Sequence, residues 1–141
     1  MFSYDELRRA KNGFKDELGK GSFGTVYKGA LYKGKKLVAV KRLEKLVEEG
    51  EWEFRAEMQA IVRTHHKNLV QLLGYCAEGS KRLLVYEYMS NGSLADVLFK
   101  GVRCPDWDER VRIALDDARG ILYLREECKP LLFFYFYFYF F

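Results

Sequence analysis

The stretch ELGKGSFGTVYKG, residues 17–29, sets Gly19, Gly21 and Gly24 in a G-x-G-x-x-G array with Val26 two positions further on. Glycines at this spacing let backbone N–H groups approach a phosphate, because no side chains stand in the way. Context narrows the reading. A dinucleotide-binding array closes a strand and opens a helix; here TVYKGALYKGKKLVAVK follows, which reads as strand, turn and strand. A Walker loop ends in G-K-[ST], and this one does not. The remaining arrangement is a glycine-rich hairpin lying as a flap over a triphosphate. Such a flap needs a positive charge beneath it, and LVAVK supplies Lys41. Side chains alternate along a strand, so Ala39 and Lys41 share a face: the small residue leaves room for a flat base and the ammonium reaches phosphates. Val26, on the neighbouring strand, caps the base from the same side. Glu57 lies about 60° from Phe54 and about 40° from Ile61 on a helix at ~100° per residue, on the face expected to be buried. A carboxylate there is costly unless paired, and Lys41 is the expected partner.

The elements that must position these residues follow from the pattern. After a short amphipathic start, a glycine-punctuated segment rich in Val, Tyr and Leu predicts three antiparallel strands at about 14–19, 24–31 and 36–42. The glycine array occupies the first turn and YKGKK the second. From Glu48 to Arg63, Phe54, Met58, Ile61 and Val62 recur with helical period, behind a glutamate-rich start that suits the helix dipole. LVQLLGYC and KRLLVYEYM, separated by AEGS, predict a second hairpin, giving five strands and one helix. SLAD, Ser93 to Asp96, has the spacing of a capping box. Trp107 to Arg125 has the period of a longer helix through Val111, Ala114, Leu115, Ala118 and Leu122. Beyond Pro130, LLFFYFYFYFF carries no turn residue and no charge, a low-complexity, aggregation-prone composition.

The bulk properties set bounds. The 141 residues fit one ordinary domain, and a net charge of +4, with basic residues scattered among acidic ones, gives little support to nucleic-acid or membrane-surface binding. Cys76, Cys104 and Cys128 form no C-x-x-C pair, which argues against a disulfide framework or zinc site and for a reducing compartment. The start MFSYDELRRA lacks an apolar signal region, and no run of about 18 apolar residues occurs, so neither secretion signal nor membrane span is expected within this chain. Adjacent His65 and His66 rarely ligate one ion from an ordered backbone, and a structural role is expected for them. Cys76 and Cys128 are expected to be packing thiols.

GKGSFGTV, VAVK, the helix carrying EFRAEMQAI, then HHKNLVQLLGYC and LLVYEYMSNGSL together resemble the N-terminal lobe of a protein kinase. More narrowly, with the lead-in FSYDELRRAKNGF and the later WDERVRIALDDARGILYL, they resemble plant receptor-like serine/threonine kinases of the lectin or S-domain type. The resemblance covers about residues 2–129. It implies an α+β fold: a kinase-like N-terminal lobe of five antiparallel strands and one helix, followed by the first helices of a truncated C-terminal lobe. The corresponding division is a juxtamembrane-like lead-in at 1–13, the N-lobe at 14–89, C-lobe helices at 90–129 and the aromatic tail at 130–141. By position, the resemblance implies that Gly19, Gly21 and Gly24, with Ser22 and Phe23 between them, cover the phosphates of ATP, while Lys41, held by Glu57, contacts the α and β phosphates. Leu18, Val26 and Ala39 would sandwich the adenine, Tyr86 would be the gatekeeper, and the backbone of Glu87 and Met89 would bond the base edge. Ser93 would lie near the ribose or cap a helix. Ile61 and Leu72 would join helix to sheet. The parent family is anchored in the plasma membrane with its kinase domain on the cytoplasmic side, which implies a cytoplasmic location for this chain.

The family pattern then stops. Arg125 stands where the subgroup usually has histidine, and the H-x-D loop, D-F-G and A-P-E do not occur. Those motifs supply the base for the hydroxyl and the ligands for magnesium. Two readings follow: the ATP-binding portion of a kinase whose remainder is missing here, or a non-catalytic module that binds nucleotide or a partner kinase. Protein substrates, partner kinases and self-association through the tail are the partners these readings imply.

Overall fold

The computed structural model describes residues 1–10, 15–21, 24–43, 51, 54, 55, 58, 65–100 and 104–127. They fall into two compact units, Met1–Arg63 with Val70–Tyr88, and Thr64–Leu69 with Met89–Phe141.

The first unit is built on a five-stranded antiparallel sheet: β1 (Glu17–Gly21), β2 (Gly24–Leu31), β3 (Lys36–Leu43), β4 (Leu72–Glu78) and β5 (Lys81–Glu87), in spatial order β1-β2-β3-β5-β4. Both faces of its centre are covered. On one, Val38, Val40, Leu83, Val85, Cys76 and Leu31 form a buried cluster closed by Leu7. Leu7 belongs to helix α1 (Tyr4–Ala10), whose seven residues are too few to be stable alone. Its start is a capping box: the Glu6 N–H donates to Ser3 Oγ (3.2 Å) and the Ser3 N–H donates to Glu6 Oε2 (2.8 Å). The Phe2 N–H donates to the Tyr75 carbonyl (2.8 Å), and the Phe2 ring fills the space that a Cβ on Gly74 would need. The opposite face carries Leu84, Tyr86 and Ala39, and is covered by Phe54 and Met58 of the helical residues 51, 54, 55 and 58.

Local chemistry sets the turns. Gly79 and Ser80 alone join β4 to β5, with Glu78 opposite Lys81 and Gly79 at φ 52, a two-residue hairpin that favours glycine first. Thus the expected AEGS turn is shorter by two residues. Between β2 and β3, Tyr32 (φ 52) and Lys33 (φ 56) are left-handed without being glycine. The first strand also differs from expectation: β1 starts at Glu17, and Gly19 and Gly21 lie within the strand, so only positions 22 and 23 separate β1 from β2. The bulge between Glu17 and Gly19 takes up the change of register.

In the second unit, a π-helical turn at Asp96–Lys100 follows the expected cap, in which Ser93 Oγ donates to Asp96 Oδ2 (2.7 Å) and the Asp96 N–H donates to Ser93 Oγ (3.1 Å). Helix α2 (Trp107–Glu127) packs Gly120 and Leu124 inward, and His66 stacks on Tyr123 with ring centres 4.8 Å apart. The periodic residues Val111, Leu115 and Leu122 lie on its exposed side, with Trp107. The residues from 128 onward, including Cys128 and the aromatic tail, lie outside the described part, as do Ile61 and Val62.

Candidate nucleotide site

Strand register brings the expected residues onto one sheet face. Val26 lies opposite Lys41 and Lys28 opposite Ala39 across β2 and β3; Ala39 lies opposite Tyr86 and Lys41 opposite Leu84 across β3 and β5. Directly opposed residues in antiparallel strands point to the same side, so Val26, Lys28, Ala39, Lys41, Leu84 and Tyr86 form one surface. It is the face covered by Phe54 and Met58. Lys41 is only 8% exposed and Tyr86 3%. A lysine so removed from water needs an anionic or strongly polar neighbour. Glu57, its expected partner, and Ser22 and Phe23 of the flap lie outside the described residues.

The glycines of the array differ physically. Among the described residues, a Cβ on Gly19 would meet nothing within 4 Å, which leaves the space beside this part of β1 open for a ligand to approach the backbone. A Cβ on Gly24 would fall 2.1 Å from the Arg42 carbonyl oxygen, and Gly24 has φ 154. Its lack of a side chain is therefore required by β3. Leu18, directly before Gly19, is 47% exposed.

The end of this face nearest Ala39 carries a contact that sequence reasoning missed: Lys28 Nζ lies 4.8 Å from the centre of the Tyr88 ring. Alternation from Val26 could have placed Lys28 there, but nothing in the sequence marked Tyr88 as its partner. Glu87 is tied to the segment before β4. Its N–H donates to the Gln71 carbonyl (3.0 Å) and its Oε1 accepts from the Gln71 N–H (2.8 Å). The Glu87 N–H is thus already engaged. Met89 and Ser93 belong to the second unit; Met89 is 47% exposed, and Ser93 is engaged in the cap of Asp96. Among the described residues, no group of three or more His, Cys, Asp and Glu is placed to hold a metal ion. His66 Nδ1 accepts from the Asn68 N–H (3.2 Å), a loop-closing role.

A five-stranded antiparallel sheet with a glycine-rich first hairpin, a buried lysine on β3 and a helix over the lysine's face defines the N-terminal lobe of a protein kinase. The chain belongs to the protein tyrosine and serine/threonine kinase family, whose model matches residues 13–129. It is 56% identical over 128 residues to the G-type lectin S-receptor-like serine/threonine-protein kinase LECRK4 of Oryza sativa subsp. indica, covering 90% of this chain and 16% of that protein. It is 51% identical over 134 residues to the G-type lectin S-receptor-like serine/threonine-protein kinase At1g34300 of Arabidopsis thaliana, covering 94% of this chain and 16% of that protein. Kinases as a family transfer phosphate from ATP with magnesium. No helix among the described residues is long and apolar enough to cross a membrane.

Proposed function

We propose that this chain is the ATP-binding part of a receptor-like serine/threonine kinase that acts on proteins from the cytoplasmic side of a membrane. The observation that carries the reading is the shared face of Val26, Ala39 and buried Lys41. Val26 and Ala39 offer an apolar surface to adenine beside Tyr86. Lys41, steadied by Glu57, neutralises charge on the α and β phosphates, and the backbone around Gly19 and Gly21 approaches the phosphates from the flap. Magnesium, in the family, neutralises the phosphate charge that lysine alone leaves; the H-x-D and D-F-G residues that serve this chemistry do not occur in the sequence. The chain as it stands therefore binds ATP weakly and transfers no phosphate.

Isothermal titration of ATP into the purified 141-residue chain tests this reading. The expected result is binding weaker than micromolar, insensitive to magnesium and lost in Lys41→Met. Affinity unchanged by Lys41→Met would contradict the site. Magnesium-dependent phosphate incorporation that disappears in the same variant would contradict the assigned inactivity.

A further inference from the structure

Helix α1 and the β2–β3 turn leave a cavity of about 470 Å³ between them, within the first unit. Its floor is apolar: Phe2, Ala10, Ala30 and Leu31 line it, and Phe2 and Ala10 rest on the buried cluster that contains Leu31 and Val38. The cavity is therefore a gap in the cover that α1 gives the core. Its volume falls within the roughly 300–1,000 Å³ of small-molecule sites. The cluster beneath it lies on the sheet face opposite Lys41, and the α1 side of its wall precedes the stretch matched by the family model.

The rim is charged. Arg9 and Lys33 stand on it with Glu6. The Glu6 carboxylate is already engaged by the helix cap, accepting from the Ser3 N–H (2.8 Å) and from Ser3 Oγ (3.0 Å). Those bonds, with the charge of Arg9 as a smaller cause, hold its carboxyl below the usual carboxylate range. Arg9 Nε donates to the Asp5 carbonyl (3.2 Å), which steadies the guanidinium and leaves its two Nη groups for an anion. Among the described residues, neither Arg9 nor Lys33 closes an ion pair. Two cations thus face one carboxylate that is already bonded. Backbone strain marks the same place. Tyr32 (φ 52) and Lys33 (φ 56) are consecutive left-handed residues that carry side chains, a conformation that costs L residues energy. Tyr32 is 66% exposed, so burial of its ring does not offset that cost. Strain of this kind gathers where ligands are held.

We propose that this cavity binds one anionic amphiphile, a phosphate or carboxylate head on a short apolar chain. The chain covers Phe2, Ala10, Ala30 and Leu31, and the head meets Arg9 and Lys33. A neutral apolar ligand would leave both cations unanswered, and a bare inorganic anion would leave the floor exposed to water. The site needs neither Lys41 nor the glycine flap, so it stands or falls apart from nucleotide binding.

The test is a titration of octyl phosphate, below its micelle concentration, into the full chain labelled with carbon-13 in its alanine methyl groups. Ala10 and Ala30 report the cavity; Ala39 reports the nucleotide face, and Ala114 and Ala118 the exposed side of α2. Saturable shifts are expected at Ala10 and Ala30 alone. Arg9→Gln and Lys33→Gln should each weaken binding roughly five-fold, the upper end for an exposed ion pair, and octanol should bind on the order of twenty-fold more weakly than octyl phosphate. Lys67→Gln, in the second unit, should change nothing. Ala30→Leu should fill the floor and remove binding, and the two rim variants keep the test decisive if that chain fails to fold. Octanol or inorganic phosphate binding as tightly as octyl phosphate, rim variants without effect, or Ala114 and Ala118 moving with the same midpoint would each overturn the site. Flotation with phosphatidylcholine vesicles containing phosphatidylserine separates the sources of the head group. Flotation that octyl phosphate competes away assigns a bilayer lipid, and saturable octyl phosphate binding without flotation assigns a free amphiphile. Flotation without any shift at Ala10 and Ala30 would be adhesion of surface charge and would overturn the site.

Discussion

Alanine at Gly24 should destabilise the protein far more than alanine at Gly19, although both belong to one glycine array. The added Cβ at position 24 falls 2.1 Å from Arg42 O, 3.0 Å from Arg42 C and 3.1 Å from Leu43 Cα. All three atoms are backbone of β3, so no side-chain rotation relieves the clash. The first pair of the β2–β3 ladder, Gly24 with Leu43, must open by more than an ångström or distort. Backbone strain of this kind costs about 1–3 kcal/mol, and one weakened ladder bond adds about 1 kcal/mol. Together the loss is about 2–4 kcal/mol, which at ordinary urea sensitivity moves the unfolding midpoint down by roughly 1–2 M. Gly19→Ala meets open space and should stay within about 0.5 kcal/mol of the unaltered chain, while weakening ATP binding. Urea titration of both variants, followed by far-UV circular dichroism, checks the contrast. Equal midpoints for the two would refute the division of the array into one glycine for the sheet and one for the ligand.

Other expectations follow from burial and charge. Leu7 is fully buried in the sheet cluster although it precedes the stretch matched by the family model, so Leu7→Ala should cost about 2–5 kcal/mol in a denaturant titration. The Asp117 carboxyl is raised above its ordinary range by partial burial and then by neighbouring Asp116. A raised carboxyl binds protons more tightly in the folded state, so its ionisation removes stability as pH rises through and above the ordinary aspartate range. Asp117→Asn should therefore give a higher melting temperature at pH 7 and a smaller difference at pH 3, measured by thermal unfolding. Val111, Leu115, Leu122 and Trp107 leave an apolar side on α2, and the tail is uncharged and aromatic. Deleting residues 131–141, or replacing Leu115 with Lys, should reduce self-association in light scattering; unchanged particle size in both would refute an apolar basis for it.

Much of the sheet was legible because alternation is a strong signal where one strand face is buried. Ala39 and Lys41 on one side, with Val38 and Val40 on the other, follow from period two alone, and the register then supplies Val26 and Tyr86. The glycine array misled at its start. Glycine marks turns, yet Gly19 and Gly21 are extended in β1, where the pairs Lys20 with Thr25 and Gly21 with Gly24 bring the strands together. The turn at AEGS is shorter than its composition suggests for a similar reason, since Ala77 and Glu78 still pair with Arg82 and Lys81. Helix α1 carried an S-x-x-E cap from Ser3 to Glu6, but its seven residues are too few for periodicity to reveal that Leu7 enters the core. The bond from Arg82 Nε to Glu51 Oε2 (2.8 Å) was invisible for a different reason: a contact across 31 residues leaves no local pattern.

Lys41 should lie beside the phosphates of a bound nucleotide. An ATP analogue bearing a terminal acyl phosphate, which acylates lysines near the phosphate chain, measures this directly when the modified peptides are mapped by mass spectrometry. The expected result is dominant labelling of buried Lys41, suppressed by excess ATP. Labelling spread over exposed Lys33 and Lys35 of the β2–β3 turn and Lys36 at the start of β3, with Lys41 unmodified and no competition by ATP, would contradict it.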